Sequence, residues 1–221
     1  MIDLDRQDSV FILHMRNGEN RFNLEFFSAF HAVLDEVEKF EGPGALVTTG
    51  EGKFYTNGLD LTWLMGEGAS HQREFGREVH RFFLRLLTFP MVTVAAVNGH
   101  VFAAGVIAAM AQDFRVMRSD RGFFCLPEVD LKVPFSPGVM GIVKERIEAQ
   151  ALHELVLTGR RIAGEEAVAL RIADVTVPEA EVLPKAVEMA RALCDKDRTT
   201  LVALKRAMYP DLIAALEAAA G

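Results

Sequence analysis

Cysteine is almost missing from this chain: of 221 residues only Cys125 and Cys194 carry a thiol, and no CxxC spacing occurs. That excludes a disulfide framework and a cysteine-built structural zinc site, and it makes a reducing cytoplasm the expected compartment. Concentrated positive charge is missing too. Lysine and arginine number 24 against 31 acidic residues, the net charge is −7, and no dense basic run occurs. A nucleic-acid partner needs a basic face, so none is expected, although a few local cations suffice for a small polyanion. No apolar run approaches the roughly 18 residues of a membrane span, so no membrane partner is expected either. The opening Met1-Ile-Asp-Leu-Asp-Arg6 lacks a basic-then-apolar leader, and the closing Ala-Ala-Ala-Gly221 lacks a peroxisomal address.

Several common catalytic signatures are absent as well. The serine nearest to a GxSxG elbow lies in Pro134-Phe-Ser136-Pro-Gly138, which does not fit it. A phosphate loop ending at Lys53 would need a glycine where Val47 stands. No GxGxxG follows a strand-like segment, the histidines are dispersed, and His153-Glu154 lacks the second histidine of HExxH. No metal and no resident cofactor are therefore expected.

What remains is an ordinary globular composition, half hydrophobic and 25% charged, long enough for one domain with a full core. Val10–Met15 reads as a strand. From Asn23, placed to cap, Leu24, Phe27, Phe30, Val33, Leu34 and Val37 recur at helical spacing. Gly42-Pro43-Gly44 ends that helix, and Ala45–Thr49 is a short apolar strand followed by a Gly-rich turn through Gly58. A second helix is expected over Arg73–Leu87 and a buried strand over Met91–Val97, broken by Asn98-Gly99. The small-residue run Ala103-Ala104-Gly105 through Met110 predicts a tightly packed helix start, and Phe114–Arg118 and Gly122–Leu126 two further strands. From Ser136 the pattern is mainly helical, with an edge strand at Val175–Val177. The expectation is an α/β core over residues 1–135 and a helical C-terminal region over 136–221 that serves oligomerisation or covers a pocket.

Three segments carry chemistry. Leu46–Thr49 leads into Gly58-Leu59-Asp60, and Met91–Val97 leads into Ala103-Ala104-Gly105; each is a buried strand followed by a turn of small residues. Such turns admit a ligand close to the main chain and leave helix-start N–H groups unpaired, so two that converge make an oxyanion hole. Taken singly, the same residues are equally accounted for by tight turns and close packing. The third segment holds Glu128 behind Gly122–Leu126 and Pro127. A carboxylate among apolar neighbours has a raised pKa and suits a general base, while a glutamate in an ordinary surface loop is the plainer alternative.

Together, Lys53-Phe-Tyr-Thr-Asn-Gly-Leu-Asp60-Leu, Val97-Asn-Gly-His-Val-Phe-Ala-Ala-Gly105 and Leu126-Pro-Glu128-Val resemble the crotonase (enoyl-CoA hydratase/isomerase) family in order and spacing. The resemblance implies a ββα-superhelix core, an acyl-CoA substrate, and a homotrimer or dimer of trimers. It implies that the amides of Leu59 and Ala104 hold the thioester oxygen, and it places Asn20, Phe22, Thr56, Asn57, Gly58, Asp60, Trp63, Phe102 and Pro127 at the substrate. For several of these the bland alternative stands beside the functional one. Asp60 either aims the Leu59 amide or makes an Asx-turn, Trp63 and Phe102 line an acyl tunnel or the core, and Arg21 and Lys53 meet CoA phosphates or only solvent.

Family hydratases carry a second carboxylate on the helix after the second turn, where this chain has Ile107. A lone Glu128 instead fits a Δ3,Δ2-enoyl-CoA isomerase, which moves one proton from carbon 2 to carbon 4. Thr56–Trp63, Met117–Gly122 and Glu128–Asp130 are most similar to the isomerases of plant peroxisomes, with a bacterial relative expected from the missing address. Other enolate-type acyl-CoA reactions, and a non-catalytic acyl-CoA binder, are the alternatives.

Overall fold

The computed structural model describes residues 2–221. The chain enters as a hairpin in which β1 (Ile2–Gln7) runs antiparallel to β2 (Val10–Met15), turning at Asp8 with φ of 56°. β1 escapes the sequence reading because its acidic and basic residues face outward from an edge position. α1 (Leu24–Glu38) begins where the Asn23 side chain accepts the Phe26 N–H, and it buries the Phe27, Phe30, Leu34 and Val37 face. β3 (Ala45–Gly50), β4 (Phe54–Thr56), α2 (Leu61–Met65) and α3 (Gln72–Leu87) follow. Next come β5 (Val92–Val97), β6 (His100–Phe102) and α4 (Ala104–Ala111), then β7 (Phe114–Arg118), β8 (Phe124–Cys125) and α5 (Glu128–Leu131). The remainder is α6 (Pro137–Arg146), α7 (Ala149–Thr158), α8 (Gly164–Ala169), β9 (Val175–Val177), α9 (Glu179–Arg191), α10 (Arg198–Met208) and α11 (Pro210–Ala220).

The strands sort into two sheets by a repeating rule. The large sheet runs β1-β2-β3-β5-β7-β9, parallel throughout after the first hairpin, and the small sheet runs β4-β6-β8, also parallel. Three successive passes, β3-β4, β5-β6 and β7-β8, thus each add one strand to the large sheet, one to the small sheet, and then a helix, which is the expected ββα superhelix. Of the small-sheet strands, β8 falls inside the strand expected over Gly122–Leu126, whereas β4 and β6 lie inside segments that read as turns, since three residues are too few to show a period. Glycine makes the corner between sheets possible: a Cβ on Gly50 would collide with the Phe54 carbonyl, and one on Gly99 with that of Lys53.

Strands of the large sheet are covered on both faces, which is why they read as continuous apolar runs. On one face Val10, Ile12, Val47, Val94 and Val116 meet Val182, Ala186 and Ala190 of α9. The other face, with Phe11, Leu13, Leu46, Ala95 and Val97, packs under α1, α3 and α4. The C-terminal helices join this second core through Ile142, Val143, Leu212, Ile213 and Leu216, and α11 lies along α3 and α6 of the same chain. No helix among the described residues is long and apolar enough to cross a membrane.

Two buried polar assemblies brace the frame. Tyr55 Oη donates to Thr48 Oγ1 at 2.7 Å, Thr48 Oγ1 to Gln112 Oε1 at 2.9 Å, and Gln112 Nε2 back to Tyr55 Oη at 3.0 Å. Farther along, Lys205 Nζ donates to Asp113 Oδ2 at 2.7 Å and to the carbonyls of Phe89 and Met91, tying α10 to the entry of β5.

Candidate active site

Both small-residue turns end up side by side. Gly58 has φ of +80°, and a Cβ there would approach the Phe102 carbonyl to 2.9 Å and the Ala104 nitrogen to 3.1 Å. The turn is fixed by its neighbours in sequence and in space. Gly58 N–H donates to Thr56 Oγ1 at 3.1 Å, Asp60 N–H to the Phe22 carbonyl at 2.9 Å, and Phe22 N–H to the Gly58 carbonyl at 2.8 Å. The Leu59 N–H between them takes no protein acceptor among the described residues. Ala104 is the first residue of α4, so its N–H lies outside the helical ladder. Ala103 before it holds φ of 51°, a region a non-glycine residue enters at a cost of roughly 1–3 kcal/mol, and such strain clusters at ligand sites. Gly105 has to be glycine, because a Cβ would strike Thr56.

Glu128 opens α5, directly after the small-sheet strand β8. Its side chain is buried, and its Oε2 has no hydrogen-bond partner among the described residues. Burial without a compensating cation pushes its pKa from an ordinary 4.5 up to about 7. The carbonyl of Glu128 accepts the Lys132 and Val133 N–H groups, closing the short helix and fixing the backbone that presents the carboxylate.

Leu59, Ala104 and Glu128 line one cavity of about 260 Å³. Its walls are otherwise mostly apolar, with Val79, Phe83, Ile107, Leu131 and Phe135 among them, and Arg21 is the other charged residue on it. Arg21 is held by Glu19 at 2.7 Å, and Glu19 in turn accepts the Asn57 side-chain amide at 2.8 Å. Cys125 lies off the cavity; its thiol donates to the Gly159 carbonyl at 3.1 Å, and burial pushes its pKa up.

Of the residues expected at a substrate, Asn57 lines the cavity. Asn20, Phe22 and Thr56 are not among its lining residues. Asn20 is fully buried with φ of 50°, accepting from Asn17 N–H and donating to the Tyr55 carbonyl. Thr56 is equally buried and donates to the Asn20 carbonyl at 2.6 Å, while Phe22 packs against Phe26 and Phe82. These three hold the Gly58 turn from behind. Gly58 shapes that turn without lining the cavity, and Pro127 precedes Glu128 as the cap residue of α5. Asp60 caps α2 by accepting the Trp63 N–H at 3.0 Å, and with Trp63 it borders a separate outer groove that meets the cavity at Arg21. Phe102 lies elsewhere, among Phe54, His100 and Arg161, and Lys53 borders a depression with Arg118 and Arg121.

One pair on the cavity goes unnoticed in the sequence. Ser136 caps α6 and lines the cavity, and its hydroxyl donates to His80 Nε2 at 2.7 Å, while His80 Nδ1 donates to the Gly76 carbonyl at 2.7 Å. A serine followed by Pro137 is a readable helix start, but its partner 56 positions earlier is not readable without the fold.

Comparison with known proteins agrees with this layout. The family model described as enoyl-CoA hydratase/isomerase matches residues 5–220. Enoyl-CoA delta isomerase 2, peroxisomal, of Arabidopsis thaliana is 32% identical over 224 residues, covering 96% of this chain and 93% of that protein. Carnitinyl-CoA dehydratase of Salmonella agona is 33% identical over 180 residues, covering 81% of this chain and 68% of that protein. The solved apo enoyl-CoA isomerase of Mycobacterium tuberculosis superposes with a TM-score of 0.90 at 25% identity, covering 99% of this chain and 95% of that one. With the family model spanning nearly the whole chain and the two-sheet superhelix shared with a solved member, the chain belongs to the enoyl-CoA hydratase/isomerase (crotonase) family.

Proposed function

We propose that this protein is a Δ3,Δ2-enoyl-CoA isomerase with Glu128 as its only proton carrier. The observation that carries the reading is a single buried carboxylate with an unpartnered oxygen, on a cavity whose other candidate position for a carboxylate is the fully buried Ile107. The Leu59 and Ala104 N–H groups receive the thioester oxygen. Ionised Glu128 takes a proton from carbon 2, the electron pair spreads over the dienolate, and the charge comes to rest on that oxygen. Protonated Glu128 then returns the proton to carbon 4, which leaves the double bond between carbons 2 and 3 and the carboxylate as it began. Water enters no step, which suits the apolar walls. Arg21, at the junction with the polar outer groove, is positioned for the CoA portion. The thioester is substrate and the scheme needs no resident cofactor or metal. A homotrimer or dimer of trimers is part of the same reading, checked by light scattering.

The test is conversion of a 3-enoyl-CoA to its conjugated 2-enoyl isomer, followed by the absorbance of the conjugated thioester. We expect activity to rise with pH to a plateau above about 7, as Glu128 ionises. Glu128→Gln should lower kcat by about a thousandfold, within the range of general acid–base catalysis. Full activity of that variant would falsify the role of Glu128, and faster hydration of a 2-enoyl-CoA than isomerisation of the 3-enoyl form would assign the protein to hydration instead.

A further inference from the structure

One polar pair at the cavity has no part in the isomerisation. Ser136, at the start of α6, lines the cavity beside Phe135 and Val139. Its Oγ lies 2.7 Å from Nε2 of His80 on α3, and the other ring nitrogen, Nδ1, lies 2.7 Å from the Gly76 carbonyl. A carbonyl can only accept, so Nδ1 carries the ring proton and Nε2 is left with a lone pair. The proton in the Ser136–His80 bond is therefore the serine's, and it points at a base.

Part of this arrangement supports the fold. The Ser136 hydroxyl accepts the Val139 N–H and caps α6, and the bond to His80 ties α6 to α3 across 56 positions. A cap needs only an acceptor, however, and the Val139 contact at 3.3 Å is longer than the roughly 2.7–3.2 Å of an ordinary N–H···O bond. The short bond is the one to histidine. Ser136, His80 and the Gly76 carbonyl thus stand as nucleophile, base and the group that orients the base, a set of roles that recurs on unrelated folds. An electrophile is at hand, because a thioester whose oxygen sits on the Leu59 and Ala104 amides brings its carbonyl carbon into the same cavity. At about 260 Å³ that cavity is below the roughly 300–1,000 Å³ of ordinary ligand sites, which keeps the carbon close to every wall.

We propose that Ser136 and His80 form a second reaction centre, at which Ser136 attacks the thioester of a bound acyl-CoA and takes the acyl group as an ester. His80 Nε2 accepts the hydroxyl proton as the Oγ–carbon bond forms, and the tetrahedral oxyanion rests on the Leu59 and Ala104 amides. Collapse of that intermediate breaks the carbon–sulfur bond, and CoA leaves as the thiol with the proton from His80. Water then cleaves the ester, giving a carboxylic acid and restoring the Ser136 hydroxyl, so that the net reaction is thioester hydrolysis. This last step is the slow one. The walls are largely apolar, and the fully buried Ile107 offers an incoming water no polar anchor. The acyl-serine therefore accumulates. The proposal rests on reading the cavity as an acyl-CoA site, and it uses neither the double bond nor the carbon 2 proton of isomerisation.

The test uses butanoyl-CoA, which has no double bond to move. Free CoA is followed by chromatography and the intact protein by mass spectrometry. The expected result is a burst of about one CoA per chain, then slower release, with the protein heavier by one butanoyl group. Proteolytic digestion should place that group on Ser136. Ser136→Asn keeps a capping side chain and should lose both burst and adduct, whereas His80→Gln should slow acylation by about 10²–10⁴-fold. The position of the adduct on the wild-type chain decides the matter even where a variant fails to fold. An acyl group on Glu128 or on a cysteine, a burst that persists in Ser136→Asn, or bound butanoyl-CoA that releases no CoA overturns the proposal. Failure to bind butanoyl-CoA at all overturns it together with the isomerase reading. A protein that converts 3-enoyl-CoA and is never acylated loses this proposal alone, and one that is acylated but leaves 3-enoyl-CoA unconverted keeps it and loses the isomerase reading.

Discussion

Two sets of buried polar groups share this core and are treated in opposite ways. Tyr55, Thr48 and Gln112 form a closed ring of hydrogen bonds, each donor meeting an acceptor inside the protein. Glu128, also buried, keeps one oxygen without a partner among the described residues. The ring joins β3, the residue before Thr56 in β4, and the position following α4, the elements that carry the Gly58 and Ala104 turns. Its closure is what buried polarity normally requires, since an unmade bond there costs about 1–3 kcal/mol. Leaving Glu128 open departs from that rule, and its burial away from water is what lifts its pKa toward neutrality. Closed polarity holds the frame and open polarity does the chemistry.

The largest effect that could break this contrast is at Glu128, where the same substitution should move activity and stability in opposite directions. Below pH 4.5 the carboxyl is protonated in folded and unfolded chains alike. As pH rises from 4.5 to about 7 the unfolded chain ionises first, so stability falls, and above about 7 it is level again. At roughly 1.4 kcal/mol for each pH unit that fall is about 3 kcal/mol. Glu128→Gln should abolish this part of the pH dependence and raise stability at pH 8 relative to wild type, while losing the activity described above. Urea unfolding at pH 5 and pH 8 checks it; a variant less stable than wild type at pH 8 would show that Glu128 is held by a favourable contact after all.

A smaller effect is expected from the turn. Gly58→Ala forces a Cβ against the Phe102 carbonyl at a left-handed position, so Gly58 and Ala104 have to move apart. Misplacement on the order of 1 Å costs about a hundredfold in rate. The expected result is a kcat fall of about that size with the pH midpoint near 7 retained, because Glu128 is untouched. A shifted midpoint would couple the turn to the carboxylate and blur the division between frame and base.

The parts of this arrangement that were legible in the sequence are those with a local pattern. β2, β3, β5, β7, α1 and α3 announce themselves by run length or period, and Asn23 by its capping position. β8 falls inside the strand expected over Gly122–Leu126, but β4 and β6 do not announce themselves, because their pairing partners lie far along the chain and three residues carry no period. The site divides in the same way. Leu59, Ala104 and Glu128 are found on one cavity, each behind a strand that could be read. Asn20, Phe22 and Thr56 were expected against a ligand and are buried behind the turn, and polarity and proximity in sequence do not say which way a side chain faces. Trp63, Phe102 and the His80–Ser136 pair depend on contacts between distant elements, which no local pattern encodes.

The smallest of the expected effects isolates the frame. Tyr55→Phe removes the hydroxyl that donates to Thr48 and accepts from Gln112, while its ring volume stays in the core. Thr48 Oγ1 still donates to Gln112 Oε1 and the Gln112 amide keeps its 3.3 Å bond to the Ala108 carbonyl, so the loss is partial. About 1–3 kcal/mol of stability should go, read from the shift in urea midpoint at unchanged slope. Because the ring touches neither the cavity nor Glu128, kcat on a 3-enoyl-CoA should stay within about threefold of wild type, a change worth less than roughly 0.7 kcal/mol. A kcat loss as large as that of Gly58→Ala, with little change in stability, would mean that the ring sets the aim of the Leu59 amide through β4 rather than simply supporting the fold. The sheet junction would then be part of the catalytic geometry, and the separation between closed and open polarity would have to be drawn at the turn itself.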